Sequence, residues 1–454
     1  MPTDQPTPSS ETPRLDTTLF ALPATAPTSP PASEPGRPRL REVNRAQLAW
    51  RPVDLDSLLP DDHRARIVWE YVAGLDLTRL YAQIQAVEGH GGAPATDPRL
   101  LLALWLQATL DGVGSARALA RLCDDHVAYQ WLCGGVSVNY HTLADFRTAP
   151  VAVLDALLTR SVATLLAEQL VTLERVAQDG VRVRASAGAA SFRRRPSLTQ
   201  CLAEAEAQVQ TLRAELDTDP AATSQRQRAA RERAARERHA RVATALAQLP
   251  AVEATKQRQG NRPETARVST TDPDARVMKM ADGGFRPAYN IQFATATTGQ
   301  VIVGVEVSNV GSDAGQLAPM VAQMTTRYGQ PPPAMLVDAP YATHADLQQV
   351  RDQTCVYAPV PDPRDPTRDR YAPRPEDPPA VAAWRQRMGT ADAKALYKAR
   401  AATAECVNAQ ARNRGLWRLL VRGLDKVRAV ALWYALAHNL MRAVTLRRQA
   451  LVIA

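Results

Sequence analysis

Residues Glu174 to Gly188, ERVAQDGVRVRASAG, decide how the rest of the chain is read. Val181 and Val183 alternate with Arg182 and Arg184, the two-residue period of a half-buried strand, and the run passes through Asp179. Asp-Gly is also a frequent hairpin-turn dipeptide, so the residues alone admit either a strand that carries an acid or a plain turn.

Two distant stretches give that acid company. In PAMLVDAPY, Pro333 to Tyr341, an apolar strand ends on Asp338. In LYKARAATAECVNAQAR, Leu396 to Arg412, a basic helix carries Glu405 between Arg400 and Arg412. Alone, Glu405 is an ordinary surface ion-pair partner worth a few tenths of a kcal/mol. Two strand-borne aspartates and a helix glutamate together are the acid set that a two-metal phosphoryl-transfer site requires.

Composition bounds the reading. The 454 residues are long enough for about three domains, and 45% are hydrophobic, which suits a folded chain. Lys+Arg exceed Asp+Glu by 55 to 46, for a net charge of +9, which points to a polyanionic partner. Five cysteines without a Cys-x-x-Cys pair fit a reducing cytoplasm. The first residues, MPTDQPTPSSETP, have no basic and apolar leader, and no apolar run reaches the length of a membrane span.

Residues 1–41 are rich in Pro, Ser and Thr and read as a disordered tail. Residues 42–150 read as a helical domain: Ile67, Val68, Tyr71, Val72, Leu75, Leu80 and Ile84 recur at three- and four-residue steps. After a break at Gly89–Gly92, Asp97 and Pro98 open a second helix; Gly112 and Gly114 end it, and Ser115 caps a third. With a further short helix near His141 to Arg147, this fits a helix-turn-helix-like DNA reader or an ordinary bundle equally well. Cys123, His126, Cys133 and His141 match no common zinc spacing, and buried thiols and hydrogen-bonded histidines are the favoured reading.

Residues 151–446 read as a mixed sheet flanked by helices. A helical hairpin at about 197–250 interrupts it: Leu202, Val209, Leu212 and Leu216 form a heptad-like seam, Asp219-Pro220 breaks it, and a second helix ends at Leu249. Arginines on that helix, among them Arg231 and Arg238, either grip a DNA backbone by charge or form a solvated face. AYNIQFATAT and QVIVGVEVSN form a hairpin, Asp313 starts a helix that Gly329 ends, and Pro359 to Pro379 is too proline-dense for regular structure. GLWRLLVRGLDKV and ALWYALAHNLMRAVTLRR read as a closing pair of amphipathic helices before a tail at 447–454.

In order, VAQDGVRVRASA, TDPDARVMKMADGGFRPAYNIQ, VSNVGSDAGQLAPMV, MLVDAPYATHADL and YKARAATAECVNAQARNRGLW resemble bacterial insertion-sequence transposases of the DDE type. The nearest group is insertion-sequence family eleven-eighty-two, related to families four and five. DPRLLLALWLQATLDGVGSARALARLCDDHVAYQWLCGG and HTLADFR resemble that group's helical N-terminal domain, so the likeness spans about residues 46–446. Ala339-Pro340-Tyr341 stands where the family commonly has Ala-Gly-Tyr, and Cys406 to Ala409 replaces a proline-phenylalanine-glycine-like run.

The resemblance implies an α+β, RNase H-like catalytic domain preceded by an all-α domain. It implies Asp179, Asp338 and Glu405 as catalytic carboxylates holding two Mg²⁺ or Mn²⁺ ions, Asp179 bridging both. Tyr397 and Arg400 match the family's signature near the glutamate, and Arg412 stands where lysine is usual; these are the implied DNA contacts. Double-stranded DNA is the implied partner, a homodimer the implied assembly, and the bacterial cytoplasm the implied location. Two other functions fit the same residues: an inactive DNA-binding relic, and an RNase H-like nuclease without strand transfer.

Overall fold

The computed structural model describes residues 54–86, 94–218 and 225–453. The tail at 1–41, the break at Gly89–Gly92 and the Asp219-Pro220 breaker lie outside the described residues. Among the described residues a one-turn helix, Thr78–Tyr81, and six longer ones come first: α1 (Arg64–Ala73), α2 (Pro98–Leu110), α3 (Ala116–Asp125), α4 (Val127–Cys133), α5 (Tyr140–Phe146) and α6 (Val151–Ala167). Asp97 caps α2 by accepting from Arg99 N, with Pro98 at the first position, and Ser115 caps α3 through Ala118 N. α2 is buried on nearly every side, and Trp105 Nε1 donates to Leu143 O at 2.9 Å, tying it to α5.

Arg175–Arg184 then forms a strand, β1, rather than a turn. Two long helices follow, α7 (Arg195–Thr218) and α8 (Gln225–Arg258). They run antiparallel, since Arg238 Nη1 donates to Gln208 at 3.0 Å near one end and Arg195 pairs with Glu253 at the other. α8 passes through Pro250, although proline lacks an N–H and crowds the carbonyl four residues back. The continuation is held by packing: Leu249 is buried with Leu198, Ala245 and Val268, and Val252 lies against them.

Apart from a two-stranded pair, Phe192–Arg193 with Val268–Ser269, the remaining described strands are β2 (Arg276–Lys279), β3 (Phe285–Ala296), β4 (Ile302–Ser308), β5 (Ala334–Leu336) and β6 (Cys355–Tyr357). Sheet order is β4-β3-β1-β5-β6, with β2 sharing the outer edge of β3 with β4. β3 is antiparallel to β1 and sets Phe293 opposite Asp179, whereas β5 and β6 run parallel to β1. Parallel neighbours need crossover connections; helices α9 (Leu317–Tyr328) and α10 (His344–Val350) precede and follow β5 in that role.

Four elements complete the chain: α11 (Pro379–Gly389), α12 (Ala391–Tyr397), α13 (Cys406–Asn413) and α14 (Leu424–Ile453). Between β6 and α11 the proline-dense segment has no helix or strand, yet Asp377 and Arg385 close it with a buried ion pair at 2.7 Å. The expected closing helix pair is instead an irregular segment and one long helix. Positive φ at Gly415 (88°) and Gly423 (87°) breaks the first half, and α14 continues through the expected tail to Ile453. One hydrophobic cluster includes residues of α1 to α6, the sheet and α14, so the helical N-terminal part and the sheet share a core. No single helix among the described residues is long and apolar enough to cross a membrane.

Within that core, His438 of α14 donates Nε2–H to Gln300 O at 2.7 Å, in the tight β3–β4 turn where Gln300 adopts φ 54°. Burial lowers its pKa from 6.5 to about 4, so the unfolded chain takes up a proton that the folded chain refuses. This stability is complete above pH 6.5 and is lost as pH falls toward about 4. The full loss is on the order of 3 kcal/mol. Urea unfolding at stepped pH should show this decline, and His438→Gln should flatten it.

Candidate active site

Asp179, Asp338 and Glu405 come together, from three separate elements, around one side chain, Arg400. Asp179 sits mid-strand in β1, two hydrogen-bonded neighbours from the sheet edge on either side. Asp338 lies just past β5 and caps a short turn, Ala339–Tyr341, in which Tyr341 N donates to Asp338 O at 3.0 Å. Pro340 falls in the first turn, where no N–H is needed. Glu405 ends a π-helical turn, Ala401–Glu405, that joins α12 to α13.

That π turn explains the meeting of Arg400 and Glu405. Five residues apart, they would point roughly 140° from each other on a 3.6-residue helix; an i→i+5 turn brings them back onto one face. The Arg400 guanidinium then reaches all three acids: Nη2 lies 2.7 Å from Asp338 Oδ2 and 3.5 Å from Asp179 Oδ1, and Nη1 lies 3.3 Å from Glu405 Oε1. Its side chain is only 8% exposed, against 43% for Asp338 and 61% for Glu405.

The electrostatics follow from burial. Burial raises the Asp179 pKa, offset in part by Arg400, while Asp338 raises it further. Asp179 is held by Gly180 N at 2.9 Å and by Asn408 Nδ2 of α13, also at 2.9 Å. For Arg400 burial works against the charge, but Asp179 and Asp338 outweigh it and its pKa is raised. Tyr397 points its hydroxyl at Asp338 Oδ1, 3.4 Å away, and burial pushes its pKa up to about 12.

Behind β1, on the face away from the acids, Asp313 accepts hydrogen bonds from Asn290 Nδ2 at 2.8 Å and Gln292 Nε2 at 2.9 Å. It does not start α9, which begins at Leu317 with Gln316 before it. Gln292 and Asn290 outbid the helix terminus for its carboxylate. These groups close over Gly180: a Cβ there would meet Gln292 Nε2 at 2.5 Å, Asn290 Oδ1 at 2.7 Å and Asp313 Oδ1 at 2.8 Å. Gly180→Ala should therefore cost about 1–3 kcal/mol in thermal or urea unfolding.

The donors are all carboxylate oxygens, the type that hard divalent cations prefer. Arg400 Nε and Asn408 Oδ1 are buried without a protein partner, so the site keeps polar capacity that the chain itself leaves unmet. As they stand the acids surround the guanidinium, and no group of three or more His, Cys, Asp or Glu among the described residues forms a metal-ligand set. The donor chemistry fits a divalent cation once Arg400 moves aside.

The expected DNA contacts separate. Arg412 is exposed, but Arg400 and Tyr397 face inward to the acids. On the hairpin, Arg231 is exposed, whereas Arg238 is tied to Gln208 at 3.0 Å and Glu204 at 3.7 Å. His126 caps α4 by accepting from Ala128 N at 3.2 Å, and Cys123 and Cys133 are buried beside each other. Sequence reasoning gives Asn408 only as part of the Cys406–Ala409 run and Asp313 only as a helix start, because partners on other elements leave no local signal.

Comparison with known families gives two matches, one on each side of the inserted hairpin. Residues 53–149 match a family model described as Transposase domain (DUF772), and residues 362–444 match one described as Transposase DDE domain. Together they support a bacterial DDE transposase, an enzyme class that transfers phosphoryl groups on DNA. No curated protein and no solved structure gives a match.

Proposed function

We propose that the chain is an insertion-sequence transposase that cuts and joins DNA at the site made by Asp179, Asp338 and Glu405. The convergence of these three carboxylates on one buried cation, Arg400, carries the reading. The sheet order, three antiparallel strands with two parallel ones added beside β1, supports an RNase H-like domain, and the acid-bearing positions on β1, after β5 and in the π turn before α13 agree with it. The match to a transposase domain over residues 53–149 supports a DNA-reading role for α1 to α5.

Asp179, Asp338 and Glu405 would hold two Mg²⁺ or Mn²⁺ ions, which when bound stabilise charge at the attacked phosphate. The chain's own groups prepare the site. Asn408 and Gly180 N fix the Asp179 carboxylate, burial keeps it short of water, and Tyr397 steadies Asp338. Arg400, released from the acids, presents a charge-assisted donor to phosphate. Water frees a 3′-hydroxyl at each element end, and that hydroxyl attacks a target phosphodiester without a covalent enzyme intermediate. Holding both ends calls for a dimer.

The test is incubation of the chain and Mn²⁺ with labelled DNA bearing the inverted repeats that flank its gene. Nicked ends and joined donor–target products are expected. Binding without nicking contradicts catalysis, and nicking without joined products leaves a nuclease.

A further inference from the structure

Beneath β1, on the face turned from the acids, the chain buries a row of polar side chains: Gln178, Asn290, Gln292 and Tyr341. Donors and acceptors along this row are ordered from one end. As a carboxylate Asp313 only accepts, so Gln292 turns its amide N–H toward it at 2.9 Å and leaves Oε1 pointing away. That oxygen obliges Tyr341 to donate. The phenol hydroxyl bonds to it at 2.5 Å, and Gln178 Nε2 joins at 3.2 Å.

Tyr341 is the far end of the turn that begins at Asp338, and its N–H closes that turn on Asp338 O at 3.0 Å. Asp338 and Asp179 stand level, each two residues past the parallel partners Leu336 and Ala177, and both reach Arg400. The hydroxyl bond behind the sheet thus pins the turn that carries the second acid in front of it.

The loop that holds Asp313 is fixed from several sides. Asn290 Nδ2 of β3 reaches Asp313 at 2.8 Å, Gln178 Nε2 of β1 donates to Gln316 O at 3.0 Å, and Gly315 N donates to Asp346 of α10 at 2.9 Å. Thr343, two residues beyond Tyr341, donates to the same Asp346 oxygen at 2.6 Å. Loop and turn are therefore tied at two points, Gln292 and Asp346.

Stability alone does not call for this row. Gln178 Oε1 and Asn290 Oδ1 are buried with no partner among the described residues. An unpaired buried polar atom costs about 1–3 kcal/mol, a loss that apolar side chains at the same positions would avoid. What the row supplies is direction, since hydrogen bonds fix one arrangement where an apolar core tolerates several.

We propose that Asp313 and Tyr341 are positioning residues, and that the path Asp313–Gln292–Tyr341 holds the Asp338 carboxylate at the spacing from Asp179 that a divalent cation requires. This rests on the function proposed above and adds to it a brace on the far face of the sheet.

Mn²⁺ uptake by the full chain is followed through the electron paramagnetic resonance signal of the free ion, beside urea unfolding and nicking over a range of Mn²⁺. Tyr341→Phe removes one oxygen and keeps the ring, and it should weaken Mn²⁺ binding by roughly ten- to a hundredfold. Nicking at saturating Mn²⁺ should return to within about threefold of the unaltered rate. Asp313→Asn frees the Gln292 amide to turn over and should weaken binding in the same way. Because both changes cut one path, the double variant should bind no more than about threefold more weakly than either single one. Unchanged Mn²⁺ binding in both single variants overturns the inference whatever their stability, and so do two losses that add in full. An unaltered chain that takes up Mn²⁺ but nicks no DNA contradicts the proposed function alone, and one that takes up no Mn²⁺ contradicts both.

Discussion

Asp179→Asn is expected to abolish Mn²⁺-dependent nicking while leaving the fold and DNA binding in place. The change keeps shape: Gly180 N keeps the amide oxygen as its acceptor, and Asn408, its side-chain amide flipped, can accept from the new NH2 through its unpartnered Oδ1. It removes charge from the one acid that the sheet holds immobile. Loss of an outer hydrogen-bond partner of a metal ligand already costs 10–100-fold, so loss of the charge itself should exceed about a hundredfold. Burial of Asp179 is unfavourable to its charged form, so unfolding should move little or toward greater stability. Single-turnover cleavage with a urea unfolding curve separates the two effects; activity within tenfold of the unaltered chain would remove Asp179 from the reaction.

Arg400→Met should reveal what the guanidinium does. Without it three carboxylates face one another with no cation, and the chain should lose about 2 kcal/mol of stability in chelator. This is below the ~3–5 kcal/mol of a fully buried pair, because Asp338 and Glu405 are partly solvated. Mg²⁺ should recover much of that loss, raising the melting temperature of Arg400→Met more than that of the unaltered chain, since a ligand that binds only the folded state stabilises it in proportion to its affinity. A melting temperature indifferent to Mg²⁺ in both proteins would mean that the acids exist to hold Arg400 and nothing else.

These residues show how far the sequence could be read. Alternation across Val181 and Val183 favours a strand through Asp179, because a two-residue period is local, while Asp179-Gly180 alone also admits the turn that the structure replaces with β1. The acid positions at 338 and 405 were likewise marked by their own short runs. Arg400 against Glu405 was not legible: five residues is the wrong spacing for an α-helix, and the π turn that corrects it has no sequence period of its own. The helix through Pro250 and the single α14 depend on packing partners far along the chain, Leu198 for one and the N-terminal helices for the other. Asp313 misled for a related reason. Asp before an apolar run signals a helix cap, but here Asn290 and Gln292 of β3 compete for the carboxylate and win.

Arg400 also gives the acids a reason to stay folded together before DNA or metal arrives. A buried cation offsets part of the site's negative charge, and three carboxylates left bare at neutral pH would repel one another. The exposed positions of Asp338 and Glu405 leave an opening through which an ion can exchange with the guanidinium.

Anomalous diffraction from crystals soaked in Mn²⁺ tests the central claim most directly. The account predicts Mn²⁺ peaks bound by Asp179 and shared with Asp338 and Glu405, with the Arg400 side chain displaced from all three. Arg400 still bridging the acids at saturating Mn²⁺, or manganese held only elsewhere, would contradict it.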